Sequence, residues 1–233
     1  MKTEKHTTGQ EALRALTAHL IALMEAKAER RFNLALSGGE TAKQMYDLWV
    51  SEYEDTLDWG RLHFYWVDER CVAPDSPDSN YGHARRLLFE PLNIAGKHIH
   101  RIQGENEPEG EAVRYAAEVE GAVSINNGKP RFDCIILGVG NDLHTASIFP
   151  HTMPLLTDPR SYATAAHPES GQIRVTMTGP VILNDTPLLV PVLGSGKSAV
   201  ISALEESDYT KHPTPAIYVV SKATDVTLYT EYL

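Results

Sequence analysis

Apolar residues recur along the chain with two different spacings, and a helical spacing comes first. Four leucines near the start follow one another at steps of three and four residues: Leu13, Leu16, Leu20 and Leu23. This spacing forms one apolar face and predicts a helix over residues 8–30. The same spacing predicts further helices: one after Gly39 through Met45, Leu48 and Trp49, others over residues 81–89, 109–124 and 197–205, and a short one from His144. In the helix over residues 109–124, the residues expected to face inward are Val113, Ala116, Ala117 and Val119.

Short, nearly continuous apolar runs make up the second pattern and predict buried strands. The runs are Phe32–Leu36 and residues 62–67, 132–138, 162–166, 173–177, 188–193 and 216–220, with a further candidate at 98–102. Because apolar strands that alternate with helices build a parallel sheet covered on both faces, we expect an α/β fold with a mostly parallel sheet. Ligands bind such sheets at the carboxyl ends of the strands. The loops that follow the strands are therefore where chemistry is expected.

Composition narrows the possible partners. The 233 residues include 21 Lys and Arg against 31 Asp and Glu, a net charge of −10, which disfavours nucleic acid. The longest apolar run is far shorter than the roughly 18–20 residues of a membrane span, and the first ten residues are polar, unlike a secretory signal. Cys71 and Cys134 are too few for a disulfide framework. We expect a cytoplasmic protein with one domain over residues 1–233.

The loop after the first predicted buried strand reads Ser37-Gly38-Gly39-Glu40-Thr41. Adjacent glycines let the backbone approach a ligand closely, and the helix that follows offers free N–H groups to an anion. Ser37 and Thr41 add hydroxyl donors. The loop is also compatible with an ordinary tight turn. A third interpretation makes Ser37 a nucleophile at a strand-to-helix elbow, but too few strands precede it for that fold.

Three cationic side chains lie in or directly after other predicted strands. Arg70 closes the run Asp68-Glu69-Arg70 and is suited to a phosphate or carboxylate, although a solvated turn is equally compatible. Arg174 is a charge within an otherwise apolar strand. Gly196-Lys197 nearly completes a P-loop, but Pro191 occupies the position of its first glycine, so a nucleotide site is not predicted. Lys197 remains a candidate anion contact.

The segment Gly138-Val139-Gly140-Asn141-Asp142-Leu143-His144 follows the clearest strand. Leu143 replaces the last glycine of a dinucleotide fingerprint, so a nicotinamide or flavin site is not expected. An imidazole such as His144 can take a proton from water near neutral pH, and a carboxylate such as Asp142 can fix its tautomer. The alternative is a helix-capping aspartate beside a surface histidine. Together the loops suit a small phosphorylated substrate undergoing proton transfer or hydrolysis.

Four segments, in this order, resemble the 6-phosphogluconolactonase family over about residues 33–201. They are Leu36-Ser37-Gly38-Gly39-Glu40-Thr41, then Trp66-Val67-Asp68-Glu69-Arg70 with Ser79-Asn80, then residues 132–150 with Gly140, Asp142 and His144, and finally Arg174-Val175-Thr176 leading to Gly196-Lys197. The resemblance implies hydrolysis of 6-phosphoglucono-1,5-lactone without metal or cofactor. It also implies a three-layer αβα sandwich, Rossmann-like, shared with sugar-phosphate isomerases and deaminases.

Carried over from the family, His144 is the general base and Asp142 orients it. Arg70, Lys197 and the loop Ser37, Gly38, Gly39 and Thr41 hold the phosphate, with Arg174 in the same pocket and Asp68, Asn80 and Gly140 also binding substrate. The expected pocket is a positive island, with the acidic residues on outer faces: Glu105, Glu107, Glu109, Glu111, Glu205, Glu206 and Asp208. The expected state is a monomer or weak homo-oligomer.

Two departures and two alternatives accompany the resemblance. Leu143 stands where the family usually has glycine, and we expect it to adopt an ordinary negative φ. Ala42 stands where proline is common. A related sugar-phosphate deaminase or isomerase would carry a glutamate shortly after the histidine, but Phe149 is found five residues on and the next carboxylate is Asp158. A non-catalytic sugar-phosphate sensor is the other alternative, although Asp142 and His144 are both present.

Overall fold

The computed structural model describes residues 1–29 and 31–232. Within them the strands are β1 (Lys2–His6), β2 (Phe32–Leu36), β3 (Leu62–Trp66), β4 (Asp68–Arg70), β5 (Ile125–Asn126), β6 (Lys129–Pro130), β7 (Cys134–Ile136), β8 (Tyr162–Ala166), β9 (Ile173–Met177), β10 (Leu188–Pro191) and β11 (Val226–Glu231). The helices are α1 (Gly9–Ala26), α2 (Glu40–Glu52), α3 (Asn80–Ala84), α4 (Pro108–Ala122), α5 (Gly179–Ile182), α6 (Ser198–Glu206) and α7 (Pro215–Lys222). A π-helical turn, Arg85–Phe89, continues α3.

Six strands form a central parallel sheet in the order β1-β11-β10-β7-β2-β3. Helices flank it, so the predicted three-layer αβα fold is confirmed. A second, antiparallel sheet in the order β4-β9-β8 adjoins the first, because Val67 is the single residue between β3 and β4. Buried side chains of both sheets belong to one continuous apolar core.

The order of the central sheet places a crevice between β2 and β7. After β2 the chain moves outward to β3, whereas after β7 the next strand of this sheet, β10, lies on the opposite side. Connections that leave in opposite directions open a gap at the carboxyl ends of the two strands, which is where ligands bind in open α/β sheets. The glycine-containing loops that begin at Ser37 and Gly138 both leave the sheet at this gap.

The first helix begins where its sequence predicts and ends earlier. Thr8 caps α1 by accepting a hydrogen bond from the Glu11 N–H, and the Glu11 carboxylate accepts one from the Thr8 N–H, forming a capping box. Lys27 is extended and ends the helix after Ala26. The predicted end at Arg30 lies outside the described residues.

Three predicted elements are wrong. Residues 216–220 are helical within α7, because Pro215 sits at the first helical turn and a five-residue apolar run carries no periodicity that separates helix from strand. Residues 98–102 are not a strand, since Gly96–His98 is a 3₁₀ turn and Ile99 forms only an isolated bridge with Phe64. No helix begins at His144, because the neighbouring Leu143 and Ala146 are left-handed.

The inward face of α4 also differs from the prediction. Val113 is 68% exposed and Ala117 is exposed, whereas Ala112, Tyr115 and Val119 are buried. The helix is rotated relative to the predicted orientation, and Glu111, expected on the outer face, is only 1% exposed. Its carboxylate is neutralised by the Arg114 guanidinium at 2.6 Å, which makes burial of the charge affordable.

Five strands were not predicted. Three of them are short, β4, β5 and β6, and the other two, β1 and β11, pair with each other in parallel. β1 has no apolar residue in Lys-Thr-Glu-Lys-His and lies at the edge of the sheet, where a polar strand is tolerated. β11 is buried along most of its length and is rich in β-branched and aromatic residues, a signal that the sequence does contain.

Among the described residues, no helix combines the length and the apolar character that crossing a membrane requires.

A stack of histidines at the outer edge of the central sheet makes stability depend on pH. The His63 ring stacks on His98 at 4.6 Å between centroids, and His63 Nδ1 lies 3.0 Å from His100 Nε2. Partial burial, with the charges of Arg31 and the two neighbouring histidines, lowers the pKa of His63 to about 4. The folded chain therefore binds this proton less tightly than the unfolded chain, where the pKa is about 6.5.

We expect His63 to stabilise the fold above about pH 6.5 and to lose that contribution as the pH falls toward about 4. Discounted for solvent screening, the loss is about 1 kcal/mol, or roughly 2–4 °C in Tm. His63→Gln removes the titrating group, so its Tm should fall less between pH 7 and pH 4.5 in thermal unfolding. An identical fall in both proteins would contradict the assignment.

Candidate functional site

A cavity of about 820 Å³ opens at the carboxyl ends of the central strands. Every predicted site residue except Asp142 lines it: Ser37, Gly38, Gly39, Thr41, Asp68, Arg70, Asn80, Gly140, His144, Arg174 and Lys197. These residues come from five separate stretches of the chain. The fold therefore brings the predicted loops to one place, although Asp68, Arg70 and Arg174 reach it from the antiparallel sheet and not from the central one.

His144 and Asp142 form a hydrogen-bonded pair beside the cavity. The Nδ1–H of His144 donates to Asp142 Oδ1 at 2.5 Å, and the His144 backbone N–H donates to the same oxygen at 3.2 Å. Partial burial raises the pKa of Asp142, but the charge and hydrogen bonds of His144 outweigh it and the net pKa is lowered. With Nδ1 occupied by an ionised carboxylate, Nε2 is the basic nitrogen of the ring.

The loop that carries His144 is left-handed at two non-glycine residues. Leu143 has φ +60° and Ala146 has φ +52°, so the expectation of an ordinary φ at Leu143 is wrong. These two residues also prevent a helix from starting at His144. A left-handed leucine costs about 1–2 kcal/mol. The Leu143 side chain packs against the core and its carbonyl accepts the Ala216 N–H at 2.9 Å, which compensates the strain.

Glycines at two positions let the loops close on the neighbouring side chains. A Cβ at Gly140 would lie 2.2 Å from Cε1 and Nδ1 of His144. A Cβ at Gly38 would lie 1.8 Å from Oδ1 of Asn80. Real Cβ contacts are essentially never this short, so a side chain at Gly38 would displace Asn80 and one at Gly140 would displace His144. The two glycines thus determine the position of the His144–Asp142 pair and of the Asn80 side chain in the cavity wall.

The Ser37 loop forms a second wall at the start of α2. Gly39, at φ +96°, is the residue before the helix, so the first helical N–H groups follow directly after it. The Gly138 N–H donates to Ser37 Oγ at 3.1 Å, which joins the loops after β2 and β7. Thr41 lines the cavity from the first turn of α2. This arrangement is typical of anion sites.

Arg174 is held on the floor of the cavity. Its Nη1 lies 3.7 Å from Asp68 Oδ2 and 3.5 Å from Ser147 Oγ, and its guanidinium lies over the Phe149 ring at 5.6 Å. The side chain is 11% exposed, and burial lowers its pKa while Asp68 opposes the shift. Arginine nevertheless stays protonated in proteins. Asp68 accepts a further hydrogen bond from the Ser147 hydroxyl at 2.6 Å.

Arg70 and Lys197 complete the cationic lining. Arg70 Nη1 donates to the Asp78 carbonyl at 2.7 Å, and Lys197 Nζ donates to the Val139 carbonyl at 3.0 Å. Partial burial lowers the pKa of Lys197, and the Asp142 charge opposes the shift. Both cations are therefore bonded to neutral carbonyls, and within residues 1–29 and 31–232 neither forms a direct ion pair.

Polar atoms around the cavity lack partners among the described residues. Arg70 Nε, Arg174 Nε and Asn80 Oδ1 are buried and make no hydrogen bond there. Buried polar groups are nearly always satisfied, so an unpaired set that lines one cavity indicates a polar ligand. Two are donors on cations and the third is an acceptor, which suits an anion that also carries hydroxyl groups.

Several lining residues were not predicted. Thr8, Gly9 and Gln10 enter from the start of α1, Gln44 from α2, and Glu231 from the end of β11. The Glu231 carboxylate accepts the Gly194 N–H at 2.6 Å and so ties down the loop before Lys197. The cavity is therefore less purely positive than expected, since Asp68, Glu40 and Glu231 also line it. Of these residues, Glu231 lies in a strand, β11, that was not predicted.

Among residues 1–29 and 31–232, no group of three or more His, Cys, Asp or Glu side chains has the geometry of a metal site.

Comparison with known proteins places this geometry in a family. The family described as glucosamine-6-phosphate isomerases/6-phosphogluconolactonase matches residues 7–228. A 6-phosphogluconolactonase of Treponema pallidum is 38% identical over 208 residues, 88% of this chain and 86% of the relative. One of Aggregatibacter actinomycetemcomitans is 40% identical over 191 residues, 82% of this chain and 80% of the relative. The crystal structure of a protein called devB superposes with a TM-score of 0.91 at 37% identity, covering 99% of this chain and 95% of that one.

Proposed function

The chain belongs to the glucosamine-6-phosphate isomerase/6-phosphogluconolactonase family, and on that premise we propose that it hydrolyses 6-phospho-D-glucono-1,5-lactone to 6-phospho-D-gluconate in the pentose phosphate pathway. The observation that carries the proposal is the pair formed by His144 and Asp142 at 2.5 Å, on a cavity that three cationic side chains line. This arrangement suits a substrate with two parts, a phosphate that the cations bind and a neutral ester on which the base acts.

His144 activates the water that attacks the lactone. Nε2 takes a proton from water as its oxygen attacks the carbonyl carbon C1, and Asp142 stabilises the resulting imidazolium. The C1–O5 ring bond then breaks, the ring oxygen leaves as a hydroxyl with a proton returned by His144, and C1 becomes a carboxylic acid that ionises. A positioned base contributes typically about 10²–10⁴ in rate. The lactone is a reactive ester, so no covalent intermediate is needed.

The cationic lining binds the phosphate and steadies the charge that develops on the carbonyl oxygen. Arg70, Lys197 and the loop with Ser37, Gly38, Gly39 and Thr41 hold the phosphate. Arg174 acts in the same pocket. The unpaired Nε atoms of the two arginines support this assignment, and the buried acceptor Asn80 Oδ1 suits a sugar hydroxyl. Donors to a developing oxyanion add about 10²–10³ in rate.

A deaminase or isomerase reaction is less well supported. Such chemistry needs a second acid or base after the histidine, and the buried Phe149 stands there. The next carboxylate, Asp158, forms an ion pair with Arg160 at 2.7 Å and does not line the cavity. A carboxylate engaged elsewhere cannot move protons between the carbons of a sugar.

We also infer that the protein acts in the cytoplasm without metal or cofactor. Cys71 and Cys134 are both free, which is typical of a reducing compartment. The proposed reaction draws on His144, Asp142, the cationic side chains of the cavity, water and the substrate.

The activity is tested with purified protein and freshly prepared lactone, following acid release at constant pH. Release well above the spontaneous rate is expected, and a rate equal to that without protein would overturn the proposal. Incubation with glucosamine 6-phosphate is the second arm. Ammonia release at a comparable kcat/KM would instead identify a deaminase.

Removing the Arg70 guanidinium should weaken binding more than catalysis. We expect Arg70→Ala to raise KM for the lactone about 10–100-fold, the usual cost of one charge-assisted contact, with kcat changed only a few-fold. Steady-state kinetics measure both constants. Arg160→Ala is the control, because Arg160 is half exposed, pairs with Asp158 and lies outside the cavity lining. An unchanged KM in Arg70→Ala would show that Arg70 does not hold the phosphate.

A further inference from the structure

Glu69 is a buried carboxylate that forms no ion pair within the part of the chain that the structure describes. It lies between Asp68 and Arg70 in β4, is 2% exposed, and does not line the cavity. Within the described part of the chain, no lysine, arginine or histidine nitrogen comes within 4.0 Å of its oxygens. Burying an ionised carboxylate is costly unless hydrogen bonds replace its water. The question is therefore what satisfies Glu69 and what that arrangement does.

Four donors satisfy Glu69, and they come from both ends of one loop. Oε1 accepts the backbone N–H groups of Arg70 and Asn80, each at 2.8 Å. Oε2 accepts the Tyr81 N–H at 2.7 Å and the Ser79 hydroxyl at 3.1 Å. The carboxylate thus fastens residues 79–81 to β4, closing the loop formed by residues 71–78.

Arg70 and Asn80, whose N–H groups donate to Glu69, are also the residues of this segment that line the cavity. Arg70 precedes the loop and Asn80 follows it, and both line the cavity. Two further bonds brace the same region: Arg70 Nη1 donates to the Asp78 carbonyl, and Asn80 Nδ2 donates to the Asp68 carbonyl at 2.9 Å. Both of these depend on the loop ends being held beside β4. The His144 loop, in contrast, makes no hydrogen bond to Glu69 in the described residues.

We propose that Glu69 is a positioning residue for substrate binding, whose carboxylate holds the loop ends so that Arg70 and Asn80 face the cavity together. The inference rests on the proposed function and deepens it, since it assigns control of affinity to a residue that does not touch the substrate. The ionised form is required. A protonated carboxyl carries one O–H in place of an acceptor site, so it cannot accept all four donors.

The surroundings of Glu69 make this clamp sensitive to pH near neutrality. Burial raises the pKa of Glu69 to about 7, while the N–H groups of Tyr81, Asn80 and Arg70 oppose the shift and the Asp68 charge adds to it. The other titratable or charged groups that face it are Tyr46 from α2, Cys71 from the loop and Arg174 from β9. As the pH falls below about 7, protonation loosens the clamp, so KM should rise.

The test uses Glu69→Gln, which keeps the shape and removes the charge, in the full-length protein. We expect KM for the lactone and the inhibition constant of 6-phosphogluconate to rise together about 10-fold or more, with kcat within about threefold. The wild-type KM should rise between pH 8 and pH 6 more steeply than that of the variant. The phosphate of the substrate titrates in both proteins, so it cancels in this comparison.

Glu111→Gln is the matched control. Glu111 is equally buried and accepts the Gln103 N–H at 2.6 Å, but it pairs with Arg114 and lies outside the cavity lining. It should lose thermal stability and keep its KM and the pH profile of KM. If Glu69→Gln does not fold, Glu69→Asp keeps the charge on a shorter side chain. It should raise KM by less than the roughly 10-fold expected for Glu69→Gln and retain the pH dependence of the wild type.

The outcomes separate the two proposals. A wild-type protein that does not hydrolyse the lactone removes the proposed function, whatever Glu69 does. An active wild type with KM and inhibition constant unchanged in the folded Glu69 variant overturns the positioning role alone. So does a Glu69 variant that loses kcat with unchanged KM, or a Glu69→Gln protein whose KM keeps the full pH dependence of the wild type.

Discussion

His144→Ala loses about 10²–10⁴ in kcat for lactone hydrolysis while 6-phosphogluconate still binds. The expectation follows from the position of the ring: Nδ1 is committed to Asp142 at 2.5 Å, which leaves Nε2 as the proton acceptor for water. Removing a proton from the attacking water requires a base beside the carbonyl, and alanine at position 144 cannot act as one. Because the cations of the cavity are untouched, the inhibition constant of the product should change only a few-fold. Initial rates of acid release and product inhibition measure the two effects.

The control for this variant is His212→Ala. His212 is a partly exposed histidine that lies near Glu206 and outside the cavity lining, so its loss should leave kcat unchanged. A His144 variant with wild-type kcat would contradict the mechanism. A loss confined to KM would instead assign His144 to binding. Near-normal melting of the His144 variant shows that the loss is chemical and not a consequence of unfolding.

Gly140→Ala should damage catalysis almost as severely, although it adds one methyl group. That Cβ would lie 2.2 Å from the His144 ring and 2.8 Å from Asp142 Oδ1, so the pair must move. A displacement of about 1 Å at a reacting group can cost about 10² in rate. We therefore expect kcat to fall about 10²-fold or more, measured beside the thermal melting curve.

Gly121→Ala provides the matched glycine control. Gly121 lies in α4, and a Cβ there would meet nothing within 4 Å, so the change should leave kcat intact and stabilise the helix slightly. Equal kcat in wild type and Gly140→Ala would mean that the pair tolerates displacement, and would remove the argument that Gly140 sets its position.

The parts of the fold predicted from the sequence are those whose signal is local. β2 is found at Phe32–Leu36 as predicted, because a strand buried on both faces is apolar at nearly every position, here at all but Asn33. α1 begins after Thr8, where a capping residue precedes an apolar stripe. The elements missed depend on partners distant in sequence. β1 is polar throughout and becomes a strand because β11 supplies its hydrogen bonds, more than 200 residues away.

Site residues could be predicted where glycines and charged residues occur together at strand ends. The backbone conformation and the contacts that depend on tertiary packing could not. Leu143 illustrates the limit. Nothing adjacent to it in sequence demands a positive φ, and the loop is held in place by the Ala216 N–H from α7. Glu69 is another case, since three consecutive charges reveal nothing about the three donors that residues 79–81 supply, ten to twelve residues later. The roles of the site residues, the single domain and the oligomeric state stay predictions.

The pairing of β1 with β11 has a practical consequence for how the protein is handled. The two strands run in parallel, so Lys2 lies beside Thr227 at the end of the sheet opposite to the cavity, and Glu231 lies beside His6 at the cavity end. The four residue steps from Lys2 to His6 separate these ends by roughly 13 Å. An affinity tag joined before Met1 therefore starts on the far side from the cavity, whereas one joined after Leu233 follows a cavity-lining residue by two positions. Fusion partners and surface-immobilisation tags should accordingly be attached at the amino end.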